Sequence, residues 1–312
     1  MNRKAVIISC ILVLLSLVST GQKEEILMLQ AKGLELEGTL LVPAAERQVP
    51  VVLIISGSGP TDRNGNNPMM KNNSLKLLAW ALAERGIASL RYDKRGIGES
   101  TSEELKEANL RFTDYIDDAA RWVEYMAQDE RFSALIVLGH SEGSLIGMIA
   151  SQDQSVDKFI SIAGLGVPAS ETIRRQLKEQ PPMVLEQALP ILEKLENGQT
   201  VDDVPPMLAG LFRPSVQPFL ISWFAYDPAK ELAKLDIPVL VVQGTTDIQV
   251  RVEDAEWLVA GNPNARMRII EEMNHVLKRS GSDRQQNIQT YNNPELPLAD
   301  GLVEILSAFI NE

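Results

Sequence analysis

Ala134-Leu135-Ile136-Val137-Leu138, then Gly139-His140-Ser141-Glu142-Gly143, then a run from Ser144 to Ser151 decide how this chain folds. A short, continuous apolar run suits a strand buried on both faces of a mainly parallel sheet. The run after Gly143 reads as a helix, so the pentapeptide G-x-S-x-G falls in a strand-to-helix turn. A turn this tight lifts Ser141 above the sheet. It needs glycine on either side, because a Cβ there would meet neighbouring backbone. A helix that begins just behind the serine aims unpaired N–H groups at anything bound to its oxygen. The same glycines also fit a plain turn, so the partners available to Ser141 decide the chemistry.

Outward from this turn the text alternates strand and helix, the pattern of a parallel sheet with helices on its faces. Ile26–Gln30 and Leu34–Val42 form an opening hairpin, and Val49–Ile55 is a buried strand that stops at Ser56-Gly57-Ser58-Gly59-Pro60. Ser74–Arg85 is a helix closed by Gly86, Ile87–Tyr92 a strand, Asp114–Ala127 a helix and Lys158–Ala163 a strand. Between Gly164 and Lys234 the alternation breaks into helix-like, Pro-punctuated segments without a good strand. This reads as an insertion lying over the sheet. Its Met207, Phe212, Phe219, Trp223, Phe224 and Tyr226 either line an acyl pocket or form the insertion's own core. Strand–helix order resumes with Ile237–Gln243, Val252–Ala260, Ala265–Ile270 and a helix from Leu298 to Ile310. The polar stretch Asp283–Asn293 reads as a loop.

A serine hydroxyl is a weak nucleophile near neutral pH and requires a base, most often histidine, to accept its proton. The chain has 2 histidines. His140 adjoins Ser141 and its side chain should point away, which leaves it a role in packing or in supporting the catalytic residues from behind. His275 lies beyond the last predicted strand, where the base falls in the order Ser, Asp, His. Asp247 ends Val239-Leu240-Val241-Val242-Gln243-Gly244-Thr245-Thr246-Asp247 and would hold the imidazole tautomer; Glu253 and Asp254 are the fallback acids. Backbone N–H groups of Glu142 and Ser58 would hold an oxyanion. Ser56-Gly57-Ser58-Gly59-Pro60 lacks the ending of a phosphate loop, so nucleotide binding is disfavoured.

The formal net charge of −12 over 312 residues is scattered, which excludes nucleic acid as a partner. Met1-Asn2-Arg3-Lys4, the apolar Ala5–Val18 and the small Ser19-Thr20-Gly21 read as a signal peptide over 1–21, too short for a comfortable span. The expectation is an exported, periplasmic or secreted protein with no stable membrane anchor after processing. Cys10, the 1 cysteine, lies in that leader, so the mature chain would hold no disulfide, thiolate nucleophile or sulfur-bound metal.

Gly57-Ser58-Gly59-Pro60-Thr61-Asp62-Arg63-Asn64-Gly65, Arg91-Tyr92-Asp93-Lys94-Arg95-Gly96-Ile97-Gly98-Glu99-Ser100 and Gly139–Gly143 resemble bacterial carboxylesterases of the α/β-hydrolase superfamily that carry a helical cap. The resemblance covers residues 25–312 and implies an α/β fold with a mainly parallel eight-stranded sheet. It implies a core over 22–165 and 236–312 with a cap over 166–235. It also implies a cofactor-free, metal-free esterase for short to medium acyl esters, with Ser141, Asp247 and His275 at the triad positions. Ser56 stands where lipases of this fold commonly have histidine, a departure that touches the oxyanion hole. Asp93 and Arg95 read as a pair bracing their loop. Asp62, Arg63 and Asn64 are placed to reach a polar group on a substrate. Peptidase and thioesterase readings use the same triad, since the pocket decides the leaving group. A non-catalytic binding protein on this scaffold is the reading from another class.

Overall fold

In the strand Val49–Ile55, Val51, Leu53 and Ile55 face one apolar cluster while Val52 and Ile54 face another. Side chains alternate across a strand, so two apolar faces turn the sequence into an unbroken run. The computed structural model describes residues 22–152 and 155–312. The leader read over 1–21, with Cys10, lies outside the described residues.

The strands are β1 (Lys23–Ala31), β2 (Leu34–Val42), β3 (Val49–Ile55), β4 (Ala88–Tyr92), β5 (Phe132–His140), β6 (Lys158–Ile162), β7 (Val239–Gly244) and β8 (Ala265–Ile270). They form one eight-stranded sheet in the order β1-β2-β4-β3-β5-β6-β7-β8. β2 runs antiparallel to both β1 and β4, and every other neighbouring pair is parallel. The mainly parallel sheet with an opening hairpin is the architecture expected from the sequence.

The helices are α1 (Ser74–Glu84), α2 (Phe112–Ala127), α3 (Glu142–Ala150), α4 (Ala169–Lys178), α5 (Pro182–Glu196), α6 (Ala209–Phe212), α7 (Gln217–Phe224), α8 (Pro228–Leu232), α9 (Val252–Gly261), α10 (Arg284–Thr290) and α11 (Leu302–Asn311). Phe112, Trp122, Leu145 and Leu258 bring α2, α3 and α9 onto one sheet face; Leu75, Leu78, Leu82, Leu302 and Leu306 bring α1 and α11 onto the other. Each such fully buried side chain contributes about 1.5–3 kcal/mol. α1 ends as the sequence predicts: Gly86 N–H bonds Ala83 O at 3.0 Å and Ile87 N–H bonds Leu82 O at 3.1 Å. Buried Ile87 and Leu82 share the same cluster, completing the helix stop. None of the described helices is long and apolar enough to cross a membrane.

Between β6 and β7 the described residues form helices α4 to α8 and no strand. One expectation fails at the far end, because Asp283–Asn293 contains helix α10 rather than a loop alone. The Asp283 side chain caps it by accepting from Gln286 N–H at 2.8 Å. The inward-facing Asn287 and Thr290 are polar and bond Asn274, while Ile288 faces out. A helix held by polar bonds carries no apolar period to read.

Candidate active site

Ser141 sits between β5 and α3 with φ of 55° and ψ of −121°, a region that costs energy for a residue with a side chain. Packing enforces it. A Cβ on Gly139 would fall 2.2 Å from Gly143 O, and one on Gly143 would fall 2.3 Å from Ile55 O. Ser141 N–H also bonds Ile162 O at 3.0 Å, tying the turn to the end of β6. The elbow is therefore built as the sequence reading requires.

The loop after β7 and the loop after β8 bring Asp247 and His275 together: Nδ1 of His275 lies 2.8 Å from Oδ2 of Asp247. Gln243 Nε2 donates to the same oxygen at 3.2 Å, and Gln249 and Val250 N–H donate to Oδ1 at 2.8 and 3.0 Å. Burial alone would raise the Asp247 carboxyl, but the neighbouring His275 and these donors hold it below its usual range. An ionised carboxylate only accepts, so His275 Nδ1 carries a proton and Nε2 of the neutral ring is the acceptor. The His275 loop is fixed by left-handed residues at Glu272 and Leu277 and by Asn274, which bonds Asn287 and Thr290. Asn287 reaches across to Thr246 O at 2.7 Å, beside Asp247.

His140 connects this pair to the elbow. Its Nε2 lies 2.8 Å from His275 O, and the two rings are 4.9 Å apart between centroids. No hydrogen bond among the described residues joins Ser141 Oγ to His275 Nε2, a gap that resting active sites often show before substrate closes it. The fallback acid Asp254 is committed elsewhere, to Arg175 at 2.8 Å and to Gly166 N–H at 3.0 Å.

Ser141 opens into a cavity of about 570 Å³ that Ser58 and Glu142 also line. Tyr115, Leu211, Phe219, Leu220 and Trp223 give it an apolar wall. Phe219 and Trp223 thus serve both as pocket wall and as packing on Phe112. Phe212 is fully buried and Met207 exposed, and neither lines the cavity. The Ser58 loop touches the elbow, since a Cβ on Gly57 would lie 3.1 Å from that of Ser141. Neither Ser58 N–H nor Glu142 N–H has a hydrogen-bond acceptor among the described residues.

Two expectations near this loop are corrected. Asp93 and Arg95 do not pair with each other: Asp93 holds Arg63 at 2.8 Å, and Arg95 holds Asp118 at 2.6 Å. Asp62, Arg63 and Asn64 do not reach the cavity. Arg63 is buried against Asp93, Glu37 and Thr39. Asn64 accepts from Arg91, and Asp62 accepts from two backbone N–H groups of its own turn. Sequence reasoning also passed over Lys94, whose buried ammonium lies 2.7 Å from Glu142 and 2.5 Å from Gly57 O. Opposite charges inside two glycine-rich turns, Lys94 and Glu142, were the available signal.

The family model described as "Serine aminopeptidase, S33" matches residues 71–203, which include Ser141 but stop before Asp247 and His275. Esterase EstD of Thermotoga maritima is 29% identical over 249 residues, 78% of this chain; the chain spans 58% of that relative's length. Est1E from Butyrivibrio proteoclasticus with ferulic acid bound superposes with a TM-score of 0.62 at 17% identity, covering 91% of this chain and 96% of that one. The Pyrococcus furiosus esterase Pf2001 superposes with a TM-score of 0.56 at 14% identity, covering 94% and 93%. By its sheet, its elbow and these likenesses, the chain has the α/β-hydrolase fold and resembles the bacterial carboxylesterases within it.

Proposed function

We propose that this chain is a serine carboxylesterase acting on short to medium acyl esters, with Ser141, His275 and Asp247 as its triad. Ser141 Oγ attacks the ester carbonyl as His275 Nε2 takes its proton, and Asp247 stabilises the imidazolium that forms. The oxyanion accepts from Ser58 and Glu142 N–H. Collapse returns the proton to the departing alcohol and leaves an acyl-enzyme, which water, activated by His275, then hydrolyses. The single observation that carries this reading is the Asp247–His275 pair meeting His140 directly beside Ser141. The helical segment 166–235 acts as a cap whose Leu211, Phe219 and Trp223 receive the acyl group.

The test is hydrolysis of p-nitrophenyl esters of rising acyl length, with methyl ferulate alongside, by the wild type, Ser141→Ala and His275→Ala. Turnover in the wild type and its loss in both folded variants is the expected result; a wild type without turnover or burst sinks the reading. The matched family description favours an aminopeptidase as second reading, and aminoacyl p-nitroanilides test it. Such an enzyme must hold a free ammonium. Among the described residues, the carboxylates lining the cavity are Glu107, ion-paired with Arg213, and Glu142, ion-paired with Lys94. The leader over 1–21 puts the working enzyme outside the cytoplasm, which sequencing of the amino terminus of the exported protein checks.

A further inference from the structure

A lysine ammonium buried away from water is costly unless its donors are all answered. The Lys94 side chain is 1% exposed, and its partner Glu142 is 2% exposed. Two of its three donors are directed to Glu142 Oε2 at 2.7 Å and to Gly57 O at 2.5 Å, and the ammonium lies 5.1 Å from the centre of the Tyr115 ring. Both acceptors belong to the elements of the oxyanion hole. Glu142 contributes one of the proposed N–H donors. Gly57 O belongs to the same peptide unit as Ser58 N–H, the other donor.

Across a trans peptide the C=O and the following N–H point in opposite directions. A cation that grips Gly57 O therefore aims Ser58 N–H away from itself, and polarises the peptide so that this N–H donates more strongly. The loop needs such a restraint, because Gly57 precedes the donor and its free ψ permits the 57–58 peptide to rotate. We propose that Lys94 is the positioning residue of the oxyanion hole: by bridging Gly57 O and the Glu142 carboxylate it sets both N–H donors in register above Ser141. The proposal rests on the esterase reading above and deepens it.

Lys94→Met removes the bridge with little change in volume, and Lys94→Met/Glu142→Leu removes both charges so that none is left buried alone. In whichever folds, kcat for a p-nitrophenyl ester should fall roughly tenfold to a hundredfold with KM nearly unchanged. Inhibition by a trifluoromethyl ketone, whose adduct with Ser141 bears an oxyanion, should weaken by the same factor, while binding of the carboxylate product stays as it was. A purely structural lysine would lower the melting temperature and leave these ratios alone. Wild-type kcat and ketone affinity in a folded variant overturn the proposal. Crystals of the wild type carrying a phosphonate on Ser141 provide a test that needs no variant. The aryloxide leaves phosphorus as Ser141 Oγ bonds to it and loses its proton, and the phosphoryl oxygen should lie between Ser58 and Glu142 N–H. An oxygen held elsewhere overturns the proposal. A wild type that neither turns over esters nor reacts with the phosphonate overturns the esterase reading itself, and this one with it. An active wild type with unchanged variants overturns the role of Lys94 alone.

Discussion

The imidazole of His140 donates from Nε2 to the carbonyl oxygen of His275 across 2.8 Å, which fixes its tautomer because a carbonyl only accepts. Burial first, and then the neighbouring His275, pushes the His140 pKa down to about 3. In the unfolded chain the same group titrates near 6.5. Between those values the unfolded chain binds a proton that the fold refuses, so stability is full above about pH 6.5 and falls as pH drops toward 3. The slope is about 1.4 kcal/mol per pH unit in its steep part. His140→Gln should flatten that decline. Melting temperatures of both proteins from pH 7 to pH 4 check it; two parallel curves would remove His140 from the account.

Asp247→Asn tests the proposed acid. An amide offers an N–H donor as well as an acceptor, so the His275 ring loses its reason to keep the proton on Nδ1. kcat is expected to fall by roughly 10⁴ with the fold retained, by analogy with the same change in other serine hydrolases. The carboxyl of Asp247 is held low in the fold, so its contribution to stability is present above about pH 4 and lost as pH falls below. The variant lacks that contribution at pH 7.5 as well, so a melting curve at the assay pH accompanies the rate. Single-turnover release of nitrophenol is the measurement.

Gly143→Ala places a methyl group 2.3 Å from Ile55 O and 2.6 Å from Ser56 O, both backbone atoms that cannot step aside. The elbow must shift from β3 or the variant must unfold. A loss of about 1–3 kcal/mol is expected from the overpacking, together with loss of esterase turnover. Urea titration beside the ester assay decides it. Wild-type values in both would show that the turn relaxes easily.

Leu211→Trp fills the cavity from the α6 side, where Leu211 is half-buried rather than part of the core. Long acyl esters should lose kcat/KM at least tenfold while acetate is spared, since discrimination by a hydrophobic pocket amounts to about 1–3 kcal/mol per methylene. A p-nitrophenyl series from two to ten carbons reads it. An unaltered chain-length profile would place the acyl group elsewhere in the site.

What the sequence disclosed and what it withheld differ in kind. Ser141, Asp247 and His275 each come after a predicted strand in a recognisable local context, and the Asp247–His275 contact is then a result of the parallel order of β7 and β8. The partners of Asp93 and Arg95 were not legible, because each is chosen by how distant segments approach: Arg63 is 30 residues from Asp93, and Asp118 is 23 from Arg95. Pairing neighbours in a turn is the natural guess, and tertiary approach overrides it. Helix α10 escaped for another reason, since polar bonds rather than an apolar stripe hold it. Within the helices between β6 and β7, Phe219 and Trp223 face cavity and core at once, a distinction that composition does not carry.

The turn after β4 has a consequence for exchanging parts between relatives. Arg91 reaches Glu24 on β1, Asp93 reaches Arg63, Lys94 reaches the elbow and Arg95 reaches α2, so four neighbouring charged residues hold partners in four separate stretches. A chimera whose crossover falls between Arg63 and Asp93, or between Lys94 and Glu142, inherits half of a buried ion pair from each parent. Crossovers beyond Glu142 leave these pairs whole. The segment from β1 to the elbow is thus a block that transfers whole, and an exchange of the helices beyond β6 must carry Arg175 together with Asp254.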